Sequence, residues 1–346
     1  MDVNETYSCD LDESGISDYQ DNPEEAAKVV AGSECVLTSL EKIPEELRAQ
    51  SSLELLSTAG MRMVRLKAPA VAAQILGNLS HQLGLRGQLE ASADILTGVE
   101  EGVAGWVTSL QLSGEAVGAL DWGGASSQVT VPDPAGQQEV SIGGEQFTVS
   151  SSSHLCYGQA ESLKRHRAGL VLSSGQQWPL RSPLTVNITD PCLPDGATTE
   201  PARLSLLFSS PCTWLADTEL VRAMAVSPAR VRFVWGPDYG ECSRLIEDQF
   251  SPENCSVWQS LPGEATCLDP ATFPPPANLT YLAMSTYWYL TNGLDMTGRN
   301  LSLAEYQDLT RQVCSLDISD PALLKIEAKY PGTSQKACYQ VRSSQV

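Results

Sequence analysis

The stretch VGALDWGGASSQVTV, residues 117–131, decides how this chain is read. Small and apolar residues run into Asp121, two glycines follow, and Ser126, Ser127 and Gln128 lead into a valine-rich segment. The first half has the character of a strand. A carboxylate at a strand's carboxyl end lies where open α/β sheets bind their ligands. Gly123 and Gly124 carry no Cβ, so they can take positive φ and bring backbone N–H groups close to a phosphate. Ser126 and Gln128 stand two apart on an extended segment, share a face, and could orient a water. A hard divalent cation would sit between Asp121 and the phosphates and keep several waters. The same letters also spell a plain β-hairpin with a Gly-Gly turn.

Two earlier turns carry related chemistry. In LSTAGMR, residues 56–62, the Thr58 hydroxyl and the N–H groups of Ala59 and Gly60 could cradle a phosphate at a helix start, although an ordinary strand–helix turn would look alike. In GVEEGVAGW, residues 98–106, Glu100 and Glu101 fall at a helix N-terminus. The helix dipole there favours an ionised carboxylate, which suits a general base for water, and equally suits simple charge complementarity.

Around these turns the chain alternates strands and helices. SSLELL reads as a strand, and PAVAAQILGNLSHQLG as a helix from the spacing of Val71, Ile75, Leu79 and Leu83. ADI, a turn at Gly98 and a helix through TSLQL follow. Valine alternation over residues 113–150 predicts hairpins. Residues 173–215, rich in Pro, Ser and Gly, read as a loop-rich, disulfide-stapled insertion. Helices resume at GECSRLIEDQF, TYLAMSTYWYLTNGL and SLAEYQDLTRQVC, the last with a Ser302/Glu305 capping box. The order argues an α/β fold with two lobes: residues 1–97 a partial first lobe, and 98–346 a second lobe with a disulfide-rich insertion at about 173–270.

Composition removes whole classes of function. A net charge of −20 and a pI near 4.5 repel nucleic acid and anionic membranes, so any anionic ligand must be held by local donors and a metal. No apolar run is long enough for a membrane span, and MDVNETYSCD has no signal-peptide character. Ten cysteines without a Cys-x-x-Cys pair, beside three histidines, argue disulfides rather than zinc. Six Asn-x-Ser/Thr sequons, at Asn4, Asn78, Asn187, Asn254, Asn278 and Asn300, point with them to the secretory pathway. A P-loop is absent, as is the Gly-x-Ser-x-Gly elbow of a serine hydrolase, for which His81, His154 and His166 are the available bases.

In order along the chain, STAGMR, TGVEEGVAGWVT and GALDWGGASSQVT resemble the second, third and fourth conserved regions of the ecto-nucleoside triphosphate diphosphohydrolases, the apyrase family. HLCYGQAESL and YLAMSTYWYLTNGLDMT resemble two later segments. The resemblance implies a two-lobed actin/sugar-kinase-like (ribonuclease H-like) ATPase fold. It implies stepwise hydrolysis of nucleoside tri- and diphosphates (ATP, ADP, UTP, UDP) to monophosphates with Ca2+ or Mg2+. Glu101 would be the base, Ser126 and Gln128 would place the water, and Asp121 would bind the metal. Thr58, Ala59, Gly60, Gly123, Gly124 and Ala125 would contact phosphates, and Tyr289 would stack on the base. The disulfides implied are Cys9–Cys35, Cys156–Cys212, Cys192–Cys242, Cys255–Cys267 and Cys314–Cys338. An extracellular or luminal location follows, with the full-length parent membrane-anchored and homo-oligomer formation left open.

The chain also departs from the family pattern. The first conserved region, an Asp-Ala-Gly-Ser phosphate loop, has no counterpart, and the chain stops before the family's closing segment. Leu110 stands where an asparagine is usual, Gln159 stands for an arginine near the base, and Trp122 stands for a smaller residue on the core side. The expectation is an N- and C-terminally truncated form whose first-lobe sheet has open edges and whose activity is weak or lost. The alternative is an inactive nucleotide-binding or regulatory glycoprotein.

Overall fold

The computed structural model describes residues 9, 15–214, 218–236, 238–251, 276, 278–294, 296 and 298–344. The chain divides into two compact units, Met1–Ala104 with Pro132–Ser151, and Gly105–Val131 with Ser152–Val346. The first unit therefore runs past residue 97 and recruits a later segment. The helix that begins at Gly98 is continuous, so no break in the backbone marks its end.

In the first unit α1 (Pro23–Gly32), α2 (Glu34–Glu41) and α3 (Glu45–Arg48) precede β1 (Ser52–Ser57). Then come α4 (Ala59–Lys67), α5 (Pro69–Gly87) and β2 (Glu90–Ile95), and the start of α6 (Gly98–Ser113), whose residues from Gly105 on belong to the second unit. β1 and β2 pair in parallel, with Ser57 opposite Ile95. A parallel pair needs a crossover, which α4 and α5 supply. Pro69 starts α5 where its missing N–H costs nothing. Ile75, Leu79 and Leu83 recur every fourth residue and are buried. Ile75 and Leu79 pack with Ala26 and Val30 of α1, Met61 and Val64 of α4, and Ala93 of β2. Each of the Ile, Leu, Val and Met side chains among them contributes about 1.5–3 kcal/mol on burial.

The hairpin region holds β3 (Gly118–Trp122), β4 (Ser126–Pro132), β5 (Gln138–Ile142) and β6 (Glu145–Leu155). β5 and β6 are antiparallel and joined by Gly143 and Gly144, both at positive φ, as a two-residue hairpin loop requires.

The second unit continues with α7 (Gln159–Ser173), β7 (Thr185–Asp190), β8 (Ala202–Arg203), α8 (Leu204–Phe208), α9 (Thr218–Ala225), β9 (Arg230–Trp235) and α10 (Tyr239–Phe250). The loop-rich reading of residues 173–215 needs correction: β7 pairs in parallel with β9, and β8 pairs with β9 from the other side. Ile188, Leu204, Phe208, Met224, Val231 and Phe233 form one core with Ala168 and Val171 of α7. The prolines and serines lie in the flanks, so composition averaged over the segment concealed a short half-buried strand.

The last elements are β10 (Tyr281–Ser285), α11 (Thr286–Gly293), α12 (Leu303–Cys314), α13 (Pro321–Lys329) and α14 (Ala337–Ser343). TYLAMSTYWYLTNGL is thus not one helix. Residues 281–285 pair in parallel with β3, and Ser285 at φ +58° turns the chain into α11. A short apolar run fits either element by periodicity alone, and strand pairing settled this one. The Ser302/Glu305 capping box of α12 is complete.

Disulfides join Cys9–Cys35, Cys156–Cys212, Cys192–Cys242 and Cys314–Cys338. Cys255 and Cys267 lie outside the described residues, as do Asn4 and Asn254. Among the described residues no helix is long and apolar enough to cross a membrane.

Candidate active site

In the first unit the carboxyl ends of β1 and β2 coincide, and α4 and α6 both start there. Leu96 N–H donates to Ser57 C=O, and Ser57 Oγ donates to Asp94 C=O, tying the two ends together. Thr58 is the exposed N-cap of α4, and its carbonyl accepts from the N–H groups of Met61 and Arg62. Ala59 is buried. Gly60 has a packing reason to be glycine: a Cβ there would lie 2.8 Å from Ser17 Oγ, in the short 3-10 turn Ile16–Tyr19.

The two glutamates of α6 separate in role. Glu100 Oε2 accepts from the N–H and hydroxyl of Thr97, while Thr97 Oγ1 accepts from Glu100 N–H. This reciprocal cap holds the Glu100 carboxyl below its ordinary pKa, through the backbone bond first and the hydroxyl second. Glu101 instead meets the guanidinium of Arg62, whose Nη2 donates to Glu101 Oε2 at 2.6 Å. Arg62 is fully buried.

In the second unit Asp121 lies next to last on β3, directly across from Gln128 on β4. Its Oδ1 is buried and has no hydrogen-bond partner. Ser126 and Gln128 are both buried, and Gln128 Nε2 donates to Ser126 Oγ at 2.7 Å and to Ser153 Oγ at 3.0 Å.

The backbone of residues 123–125 is a hairpin connection between β3 and β4, and neither glycine takes positive φ. Its carbonyls are the docked groups. Gly123 C=O accepts from Gln159 N–H, and Gly124 C=O from Ala160 and Glu161 N–H, at 2.8, 2.8 and 3.2 Å. Ala125 C=O accepts from Cys156 N–H at 2.8 Å. The connection therefore satisfies the free N–H groups at the start of α7. Gly158, just before α7, presses on it: a Cβ there would lie 2.3 Å from Ala125 N. At Gly124 a Cβ would meet nothing within 4 Å.

Trp122 is on the core side, packed with Leu290 and Val313, and its Nε1 donates to Tyr157 C=O. Gln159 Oε1 accepts from Gln340 Nε2 at 2.7 Å. Tyr289 is half exposed on α11 and touches Trp288 and Tyr330, with ring centroids 5.3 Å away in each case. Two residues before it, Tyr287 packs against the Trp122 ring. Burial, and then the nearby Tyr306 and Asp121, push its phenol above the ordinary range.

The structure thus joins Arg62 to Glu101 in the first unit and Asp121, Ser126 and Gln128 in the second. The sequence reading gave no part to Arg62, Ser153 or Gly158. Arg62 had one signal, a charged side chain between the core residues Met61 and Val64 at the start of a helix.

A model of the GDA1/CD39 (nucleoside phosphatase) family matches residues 2–342. The chain belongs to that family. Similar proteins include mouse ectonucleoside triphosphate diphosphohydrolase 3, 29% identical over 348 residues, with 93% of this chain and 61% of that protein covered. Human ectonucleoside triphosphate diphosphohydrolase 2 is 29% identical over 352 residues, with 95% of this chain and 65% of that protein covered. This family member therefore spans under two thirds of the length of either relative. A crystal structure of nucleoside triphosphate hydrolases from Neospora caninum superposes with a TM-score of 0.61 at 14% identity, covering 95% of this chain and 72% of that one. The mixed α/β fold is shared with that structure.

Proposed function

We propose that this chain hydrolyses nucleoside tri- and diphosphates to monophosphates with a divalent cation. The observation that carries the reading is the buried, unpartnered Oδ1 of Asp121 on the strand register of Gln128, whose amide is bonded to Ser126. A carboxylate oxygen left without a donor in a buried place is costly. It is also a hard oxygen ligand, so the donor chemistry fits Ca2+ or Mg2+. A bound cation would neutralise charge on the phosphates.

The chain's own residues do the rest. Glu101 takes a proton from water, and the new P–O bond forms as the bond to the bridging oxygen breaks, releasing phosphate. Ser126 and Gln128 place that water in line with the terminal phosphorus, since positioning dominates phosphoryl transfer. Thr58, Ala59, Gly60, Gly123, Gly124 and Ala125 contact phosphates, and the half-exposed ring of Tyr289 stacks on the base. ATP, ADP, UTP and UDP are the proposed substrates. The four disulfides among the described residues, together with exposed sequons at Asn187, Asn278 and Asn300, support an extracellular or luminal setting.

Phosphate release from ATP and ADP, measured with Ca2+, with Mg2+ and with chelator, tests the reading. Turnover that needs the cation and disappears in Glu101→Gln supports it. Nucleotide binding without turnover in the unaltered chain rejects it in favour of a regulatory glycoprotein.

A further inference from the structure

We propose that Arg62 is the positioning residue for Glu101, holding its carboxylate ionised and in one orientation. This inference rests on the reading of Glu101 as the base.

The argument begins with the parallel pair. Ser57 and Ile95 lie opposite one another at the ends of β1 and β2, so the helices that follow start side by side, although Arg62 and Glu101 are 39 residues apart in sequence. Arg62 is bound at both ends of its structure. Its N–H donates to Thr58 C=O at 3.1 Å, and its Nη2 donates to Glu101 Oε2 at 2.6 Å. One residue therefore connects the turn proposed to hold phosphate with the carboxylate proposed to activate water.

The guanidinium is fully buried, while the Glu101 side chain keeps 15% of its surface exposed. A guanidinium stays charged at any working pH, so Glu101 always faces a positive neighbour. An opposite charge at this distance favours the ionised carboxylate. Among the described residues, the other ionisable groups on the elements that meet here are Asp18, Glu54, Arg65, Lys67, Glu90, Asp94 and Glu100, all exposed, and the half-buried Tyr19. Glu100 is further occupied by Thr97. Arg62 is a buried positive charge in direct contact with Glu101.

The test compares the unaltered chain with Arg62→Lys and Arg62→Met. Protein labelled with 13C at glutamate carboxyls is titrated by NMR, and the Glu101 signal is the one missing from Glu101→Gln. The pH profile of kcat for ATP is recorded beside it. With Arg62→Met the Glu101 titration and the acid limb of kcat are expected to rise together by about 1 pH unit or more. Arg62→Lys, which keeps the charge and loses the planar fork, is expected to give a smaller rise with kcat reduced, and it carries the test if the methionine variant does not fold. Titrations that stay within about 0.3 unit, a factor of two in proton affinity, overturn the proposal. Turnover surviving in Glu101→Gln would end the base reading alone, because the NMR titration still decides whether Arg62 controls that carboxyl.

Discussion

Asp121 and Gln128 face each other across the β3–β4 pair, and the two differ in how they are satisfied. The Gln128 amide donates to two serine hydroxyls, Ser126 and Ser153, whereas Asp121 Oδ1 is buried without a partner.

Asp121→Asn keeps the shape and removes the charge. The expected result is a thermal midpoint equal to or above that of the unaltered chain, because the buried Oδ1 has no hydrogen bond to lose. Turnover is expected to fall by roughly 100-fold or more, with a higher cation concentration at half-saturation. Metal titrations of phosphate release check both. A variant that turns over normally at low cation would remove Asp121 from the metal site.

Two glycine substitutions separate packing from ligand approach. Gly158→Ala would place its Cβ 2.3 Å from a backbone nitrogen, so stability is expected to drop by about 1–3 kcal/mol as the hairpin connection is forced away from α7. Gly124→Ala meets open space, so its denaturation midpoint should be unchanged. If phosphate approaches there, KM for ATP should rise instead. Urea melts and steady-state kinetics on the two variants read the difference.

Acid should destabilise the protein in two stages. Burial holds His154 below its ordinary pKa, so the folded state binds its proton less readily than the unfolded chain. Its contribution is complete above about pH 6.5 and is lost as pH falls below that value. Asp190 is held low as well. Burial opposes its ionisation, but the charge and hydrogen bond of His166, the charge of Arg167 and the N–H of Cys192 outweigh burial. Its contribution is present above about pH 3.9 and is lost below it. Urea midpoints against pH for the unaltered chain, His154→Gln and Asp190→Asn should show each variant flattening its own window.

The described sequons differ in accessibility. Asn187, Asn278 and Asn300 are exposed, whereas Asn78 lies within α5 with its side-chain nitrogen buried and unpartnered. Expression in a secretory host followed by peptide mapping is expected to find glycan at the first three and none at Asn78. Full occupancy of Asn78 would mean that α5 is glycosylated before it packs.

The helices with strong apolar spacing, the β5–β6 hairpin and the α12 cap were legible because each depends on residues close in sequence. The 281–285 strand was not, since YLAMS becomes a strand by pairing with β3, more than a hundred and fifty residues earlier. The same holds for β7, which needs β9. In the candidate site the letters named Glu101, Asp121, Ser126 and Gln128, but not why Glu100 differs from Glu101. That distinction lies in Thr97 on one side and Arg62 on the other.

What the amino-acid order determined by itself was chemistry and local form: an acidic, cysteine-bearing chain, its turns, its helical stripes and the residue types of a phosphate site. The tertiary structure alone decided which of those residues are bound to one another. Charge pairing, backbone close approach and burial act over a few ångströms, and only the folded chain brings Arg62 to Glu101 or Gly158 to Ala125 at that range.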